Sequence, residues 1–341
     1  MSNPLEHLLQ TRDFILADGA TGTSLFNMGL QSGDAPELWN ENHPDRVAAL
    51  YQGAVEAGSD LFLTNSFGGT QARLKLHNAQ DRAYALNKRA AEIAREVADN
   101  VNHNVIVAGA MGPTGEIMAP IGSLTHAHAV EMFHEQAQGL KDGGADVLWI
   151  ETMSAPQEYA AAAEAAARTG LPWCGTMSFD TAGHTMMGLT PAGMIDMVET
   201  LPVKPLAYGA NCGVGAADLV RTVLGFRADG NTRPIIAKGN AGIPKYVDGC
   251  IHYDGTPELM AHYAVFVRDA GAKIIGGCCG TTPDHLRHMR RALEQTPRGP
   301  VPSLDLIAET LGPFSSASDD TPNAGSRRDR RGRRRSARTT P

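Results

Sequence analysis

Eight times along its length this chain passes from a short apolar run, through a polar turn, into a segment with helical spacing. The runs are Phe14–Ala17, Asp60–Thr64, Asn104–Gly109, Asp146–Ile150, Pro172–Met177, the stretch from Pro205 to Cys212, Arg233–Ala237 and Lys273–Ile275. Between and after them lie Pro44–Ala57, Asp81–Asp99, Thr125–Asp142, Pro156–Thr169, Thr190–Glu199, Ala216–Phe226, Pro257–Ala270 and Pro283–Gln295. Proline or threonine marks most of the helix starts, and Gly58, Gly143 and Gly144 mark stops. Short apolar runs with β-branched residues read as strands covered on both faces. Repeated strand–helix units imply parallel strands joined by right-handed crossovers.

Eight such units in about 295 residues match the size of a (β/α)8 barrel. The expectation is an α/β fold: a single TIM-type barrel over residues 1–312 with a disordered, Arg-rich tail over 313–341. A doubly wound sheet would normally carry Gly-x-Gly-x-x-Gly after its first strand, and Asp18–Thr23 lacks that spacing.

In a barrel the carboxyl ends of the strands form one rim, so scattered residues become one site. Here those ends carry Asp18, Asn65, Glu151, Ser178, Asn211, Cys212, Lys238, Asn240, Cys278 and Cys279. The densest chemistry is Gly276-Gly277-Cys278-Cys279-Gly280-Thr281-Thr282-Pro283, two adjacent thiols where a strand meets a glycine-rich turn and a helix start. Gly209-Ala210-Asn211-Cys212-Gly213 places a third thiol in a matching setting. Three thiolates from two strand ends suit zinc, with the fourth position open for catalysis. Cys174 sits inside an apolar run and reads as core, and Cys250 is unassigned. His126, His128 and His134 share one helix and read as an exposed face.

Composition narrows the setting. Hydrophobic residues at 42% with 20% charged fit a soluble globular chain, and no apolar run approaches membrane-spanning length. The first ten residues lack the basic start and apolar core of an export signal. Five cysteines, an odd and sparse count, then point to a reducing, cytoplasmic location and to metal or catalytic use. Residues 314–341 hold eight Arg and three Asp, a net of +5, which leaves −12 for the remainder of a chain whose formal charge is −7. An acidic body argues against nucleic-acid binding by the folded domain. A homo-oligomer is compatible with these features, and none of them fixes its size.

Together with Asp18-Gly19-Ala20-Thr21-Gly22-Thr23 and Asn65-Ser66-Phe67-Gly68, the cysteine blocks make residues 12–297 resemble the homocysteine S-methyltransferase family. The overall look, including Glu37-Leu38-Trp39-Asn40 and Ile150-Glu151-Thr152-Met153, is most like bacterial betaine–homocysteine methyltransferases. The Arg-rich tail is outside that pattern. The resemblance implies a Zn2+-containing barrel that methylates homocysteine to methionine, with Cys212, Cys278 and Cys279 as zinc ligands and catalytic residues. It also implies Asp18 and Glu151 as partners of the homocysteine ammonium and the amides near Gly19 and Ala20 as partners of its carboxylate. Asn240 is the candidate for an oxygen ligand displaced by substrate. The methyl donor is an onium compound, betaine first, for which Trp39 and Phe67 are the candidate aromatic hosts. S-methylmethionine as donor, and a homocysteine-binding module of a cobalamin-dependent methionine synthase, are the alternatives. A different chemistry, an aldolase or dehydratase using Lys238 as a Schiff base, is made improbable by the vicinal cysteines.

Overall fold

The computed structural model describes residues 3–243, 245–247 and 250–316. Eight parallel strands form one sheet: Ile15–Leu16, Leu61–Leu63, Ile106–Met111, Val147–Met153, Trp173–Met177, Tyr208–Cys212, Ile235–Gly239 and Ala272–Gly277. Successive strands pair from the second to the eighth, and the eighth pairs with the first through Ile15–Ile274 and Leu16–Ile275. The first and second strands meet without a regular ladder. Asp60 N–H donates to the Leu16 carbonyl at 2.7 Å, and the Asp60 carboxylate accepts from Leu16 N–H at 2.8 Å. A side chain thus supplies the missing rung, and the sheet closes nearly completely into the expected TIM-type barrel.

Period-two alternation along the strands sorts the core into two layers. Ile15, Leu61, Ile106, Val147, Trp149, Cys174, Ala207, Ile236 and Ile274 fill the barrel interior. The opposite strand faces pack against the helices, with Phe62, Val107, Leu148, Trp173 and Tyr208 in that outer layer. Cys174 is fully buried, as expected of a core thiol. Burial pushes its pKa up to about 12, so it is inert at neutral pH.

The eight principal helices follow the sequence pattern to within two residues, from Pro44–Glu56 to Pro283–Gln295. Thr125, Thr190 and Thr256 each cap their helix with a side-chain oxygen. Several elements were not legible in the sequence. Helix Pro4–Thr11 begins with an Asn3 capping box and places Leu5 within the interior cluster. Strands Lys245–Val247 and Cys250–His252 form an antiparallel pair beyond the seventh barrel strand. Helix Leu304–Leu311 buries Ile307 and Leu311. Phe314 lies under the Arg221 guanidinium, 4.7 Å from it, and Ser315 N–H donates to Asp218. The remainder of the expected tail, 317–341, lies outside the described residues. Among the described residues no helix is long and apolar enough to cross a membrane.

Candidate metal centre and substrate cavity

Cys212 ends the sixth strand, and the eighth runs directly into Cys278 and Cys279. The seventh strand separates the two and pairs with both. All three sulfurs lie within 4.8 Å of one another, with Cys212 and Cys279 at 4.0 Å. A tetrahedron with Zn–S bonds of about 2.3 Å has sulfur–sulfur edges of roughly 3.8 Å. The triad therefore fits a tetrahedral divalent cation. Three thiols this close resist ionising unaided: the neighbouring Cys278 pushes Cys212 up to about 12, and Cys212 pushes Cys279 up to about 11. A cation among them removes that penalty. It is the one such cluster among the described residues. His126, by contrast, is exposed and bonds Glu164 at 2.9 Å.

The local backbone is committed to this arrangement. Cys212 adopts φ +60°, a region where a side chain is costly. A Cβ on Gly277 would stand 2.2 Å from the Thr281 side chain, so only glycine lets the turn after Cys279 fold back. Asn211, fully buried, ties the parts together. Its Oδ1 accepts from Thr152 N–H at 2.8 Å and from the Thr176 hydroxyl at 2.6 Å. Its Nδ2 donates to Thr152 Oγ1 at 2.7 Å and faces the Cys278 sulfur at 3.8 Å. Thr152 is itself held at φ +59°. The strained turn that presents Glu151 and the turn that presents Cys212 are thus braced by one amide.

The cysteines line a cavity of about 390 Å³, with Glu151 and Lys238 on its wall. Burial raises Glu151 to about 7; the Lys238 charge opposes that shift and the Asp18 charge adds to it. Lys238 is buried, pairs with Asp18 and has its ammonium 6.0 Å from the centre of the Trp149 ring. Burial opposes the Lys238 charge, but the Asp18 and Glu151 charges outweigh it and hold the ammonium protonated.

Several of the expected site residues also have partners within the protein. Asp18 is buried beside the cavity: one oxygen pairs with Lys238 and the other accepts from Leu63 N–H at 2.9 Å. It serves as counter-ion to Lys238 and as a partner of the second strand. Ala20 N–H is taken by the Thr281 carbonyl at 3.0 Å, which leaves Gly19 of that pair with no such bond among the described residues. Asn240 lies within hydrogen-bonding reach of the Cys212 sulfur. Its Oδ1 accepts from Cys279 N–H at 3.1 Å and its Nδ2 donates to the Gly213 carbonyl at 2.9 Å, so it bridges the two cysteine loops.

Trp39 does not reach the cavity. It packs in the outer core, edge-on to His43 at 4.8 Å and under Arg46 at 5.1 Å, because the short helix Trp39–Asn42 turns it away. Tyr208 is equally remote, buried against Phe226. Phe67 does line the wall.

Other residues come into view only in three dimensions. Glu37, Arg73 and His77 line the cavity, and the Tyr253 hydroxyl lies within hydrogen-bonding reach of the Cys279 sulfur. Glu37 stood in a run that the family resemblance used, without a role; nothing in the sequence marked Arg73 or Tyr253.

A parallel barrel whose strand-end thiols converge on a substrate-sized cavity sets three residues that could hold a metal ion beside room for a small ligand. The model of the homocysteine S-methyltransferase family matches residues 15–293, and the chain belongs to that family. It is 30% identical over 304 residues to a methionine synthase of Mycobacterium leprae, covering 84% of this chain and 25% of that protein. The methionine synthase of Mycobacterium tuberculosis gives 30% over 300 residues, with 83% and 25% covered. The chain thus spans about a quarter of the length of these curated relatives. A crystal structure of the homocysteine methyltransferase MmuM from Escherichia coli, in an oxidized form, aligns with a TM-score of 0.69 at 25% identity, over 85% of this chain and 99% of that one. Its metallated form aligns with a TM-score of 0.70 at 24% identity, over the same shares of the two chains.

Proposed function

We propose that the chain moves a methyl group from a small onium donor to the sulfur of homocysteine, giving methionine. Betaine is the first donor to test and S-methylmethionine the second. The observation that carries this reading is the convergence of Cys212, Cys278 and Cys279 on the cavity that also presents Glu151 and Lys238.

Cys212, Cys278 and Cys279 would hold zinc, which when bound keeps a thiol deprotonated at neutral pH. The remaining work falls to the chain's own residues. Glu151 takes the homocysteine ammonium, and Lys238, held charged by Asp18, takes its carboxylate. Asn211 and Asn240 keep the cysteine loops in register. In the transfer, the thiol proton goes to solvent and a sulfur–carbon bond forms. The bond from that carbon to the donor's positive nitrogen or sulfur breaks, leaving its electron pair on the donor. With betaine the co-product is dimethylglycine. No general base at the methyl is needed. Thiols kept free for a metal fit a reducing compartment, the cytoplasm.

A second reading has its own support. The match to a quarter of two methionine synthases favours a homocysteine module that receives its methyl group from a cobalamin-bearing partner. One assay separates the two. The zinc-loaded chain is incubated with homocysteine and betaine or S-methylmethionine, and methionine is measured. Turnover with either donor supports the first reading; none with either, alongside homocysteine binding, contradicts it.

A further inference from the structure

The cavity carries two pairs of opposite charges, and the proposed acceptor accounts for one. Glu151 and Lys238 adjoin the cysteines. Glu37 and Arg73 come instead from the connections that follow the first two strands. The charges that act on Glu37 are those of Arg73 and His77, whereas those that act on Glu151 are Lys238 and Asp18. Glu37 is only 4% exposed, which is expensive for a carboxylate unless something compensates it. Gly68 N–H donates to its Oε1 at 2.6 Å. Arg73 is near enough for its charge to oppose the burial that raises the Glu37 pKa, yet among the described residues its guanidinium makes no ion pair. Both line the cavity, as does Phe67. A buried carboxyl group and a cation that makes no ion pair among the described residues, both lining one cavity, complement a zwitterion whose positive centre favours the ionised carboxylate.

Resting on the methyl-transfer reading above, we infer that Glu37 and Arg73 form the donor subsite and select a donor bearing both a cationic methyl-carrying centre and a carboxylate. A fully alkylated ammonium or sulfonium centre has no N–H to donate. It is therefore attracted by charge and by an aromatic face, which Glu37 and Phe67 supply. The donor carboxylate falls to the Arg73 guanidinium, whose planar fork suits it. Betaine and S-methylmethionine share this chemistry. A methyl group delivered by a partner protein has no use for such a subsite.

The test crosses protein variants with donors. The zinc-loaded full chain, Glu37→Gln and Arg73→Met are assayed with betaine, S-methylmethionine and trimethylsulfonium, which lacks a carboxylate. Glutamine retains an oxygen for Gly68 N–H, so the loop keeps its bond. Glu37→Gln should raise KM for every donor about ten- to a hundredfold and leave the homocysteine KM unchanged. Arg73→Met should raise KM for the two carboxylate donors and not for trimethylsulfonium. Equal weakening of trimethylsulfonium by Arg73→Met, or a shift confined to homocysteine, overturns the assignment. If the wild type turns over none of the donors, the methyl-transfer reading fails. Calorimetric binding of betaine and trimethylsulfonium to the homocysteine-loaded chain then decides the subsite: the same selective losses support it, and no binding of either overturns it. The donor with the lower KM identifies which source is used.

Discussion

The sulfur end of the cavity and its Glu37–Arg73 end are built by different means. At the sulfur end each group sits on a barrel strand or within two residues of one. It is braced by buried amides: Asn211 between Thr152 and Cys278, Asn240 between Cys279 and Gly213. At the other end Glu37 lies in the short helix Pro36–Leu38 and Arg73 in Gln71–Leu74, both in connections that follow the first two strands. The cysteine cluster is thus fixed by the scaffold, and the proposed donor subsite rests on connections of the kind that vary at little cost to a barrel. Perturbing each end should therefore give different kinds of loss.

The largest loss is expected from the thiols. Cys278→Ala and Cys212→Ala should each abolish stoichiometric zinc, measured by metal analysis. Activity should fall by more than the roughly 10–100-fold that loss of an outer partner costs. Full zinc retention in both variants would remove the metal centre. Asn211→Ala comes next. It releases the Glu151 and Cys212 turns together, so metal affinity should drop about 10–100-fold with a measurable loss of stability. A variant that binds zinc and homocysteine as the wild type does would show that the two turns are braced independently.

Glu151→Gln should cost about ten- to a hundredfold in kcat/KM for homocysteine with zinc retained. It carries a pH signature as well. Glu151 titrates near 7 and must be ionised to hold an ammonium, so kcat/KM for homocysteine should fall as pH drops through about 7. The glutamine variant should lack that acid limb; an identical limb would assign it to another group. The smallest catalytic effect belongs to Trp39. Trp39→Ala should lower stability by about 3–5 kcal/mol, the usual cost of emptying such a site, and change neither the donor nor the homocysteine KM. A selective rise in donor KM would put Trp39 back in the donor site.

The same contrast explains what was legible in the sequence. Barrel strands, principal helices and the cysteine triad follow from local patterns: apolar runs, caps, glycines and adjacent thiols. Asp18 and Lys238 were both visible at strand ends, but not their pairing across 220 positions of sequence. Trp39 looked like a wall residue from its type alone, and the direction of a four-residue helix decides otherwise. Glu37, Arg73 and Tyr253 owe their positions to how short connections pack, for which a single sequence holds no periodic signal. Asn240 shows the same limit at finer scale: its place beside the cysteines was readable, whereas the two bonds that occupy its amide were not.

The central claim is that three strand-end thiols act together as one metal site, and X-ray absorption at the zinc edge tests it most directly. On the zinc-loaded chain without homocysteine, the account predicts three sulfur neighbours at about 2.3 Å, falling to two in any remaining metal-bound fraction of Cys278→Ala. A wild-type shell of nitrogen and oxygen alone, or one unchanged by that substitution, would contradict it.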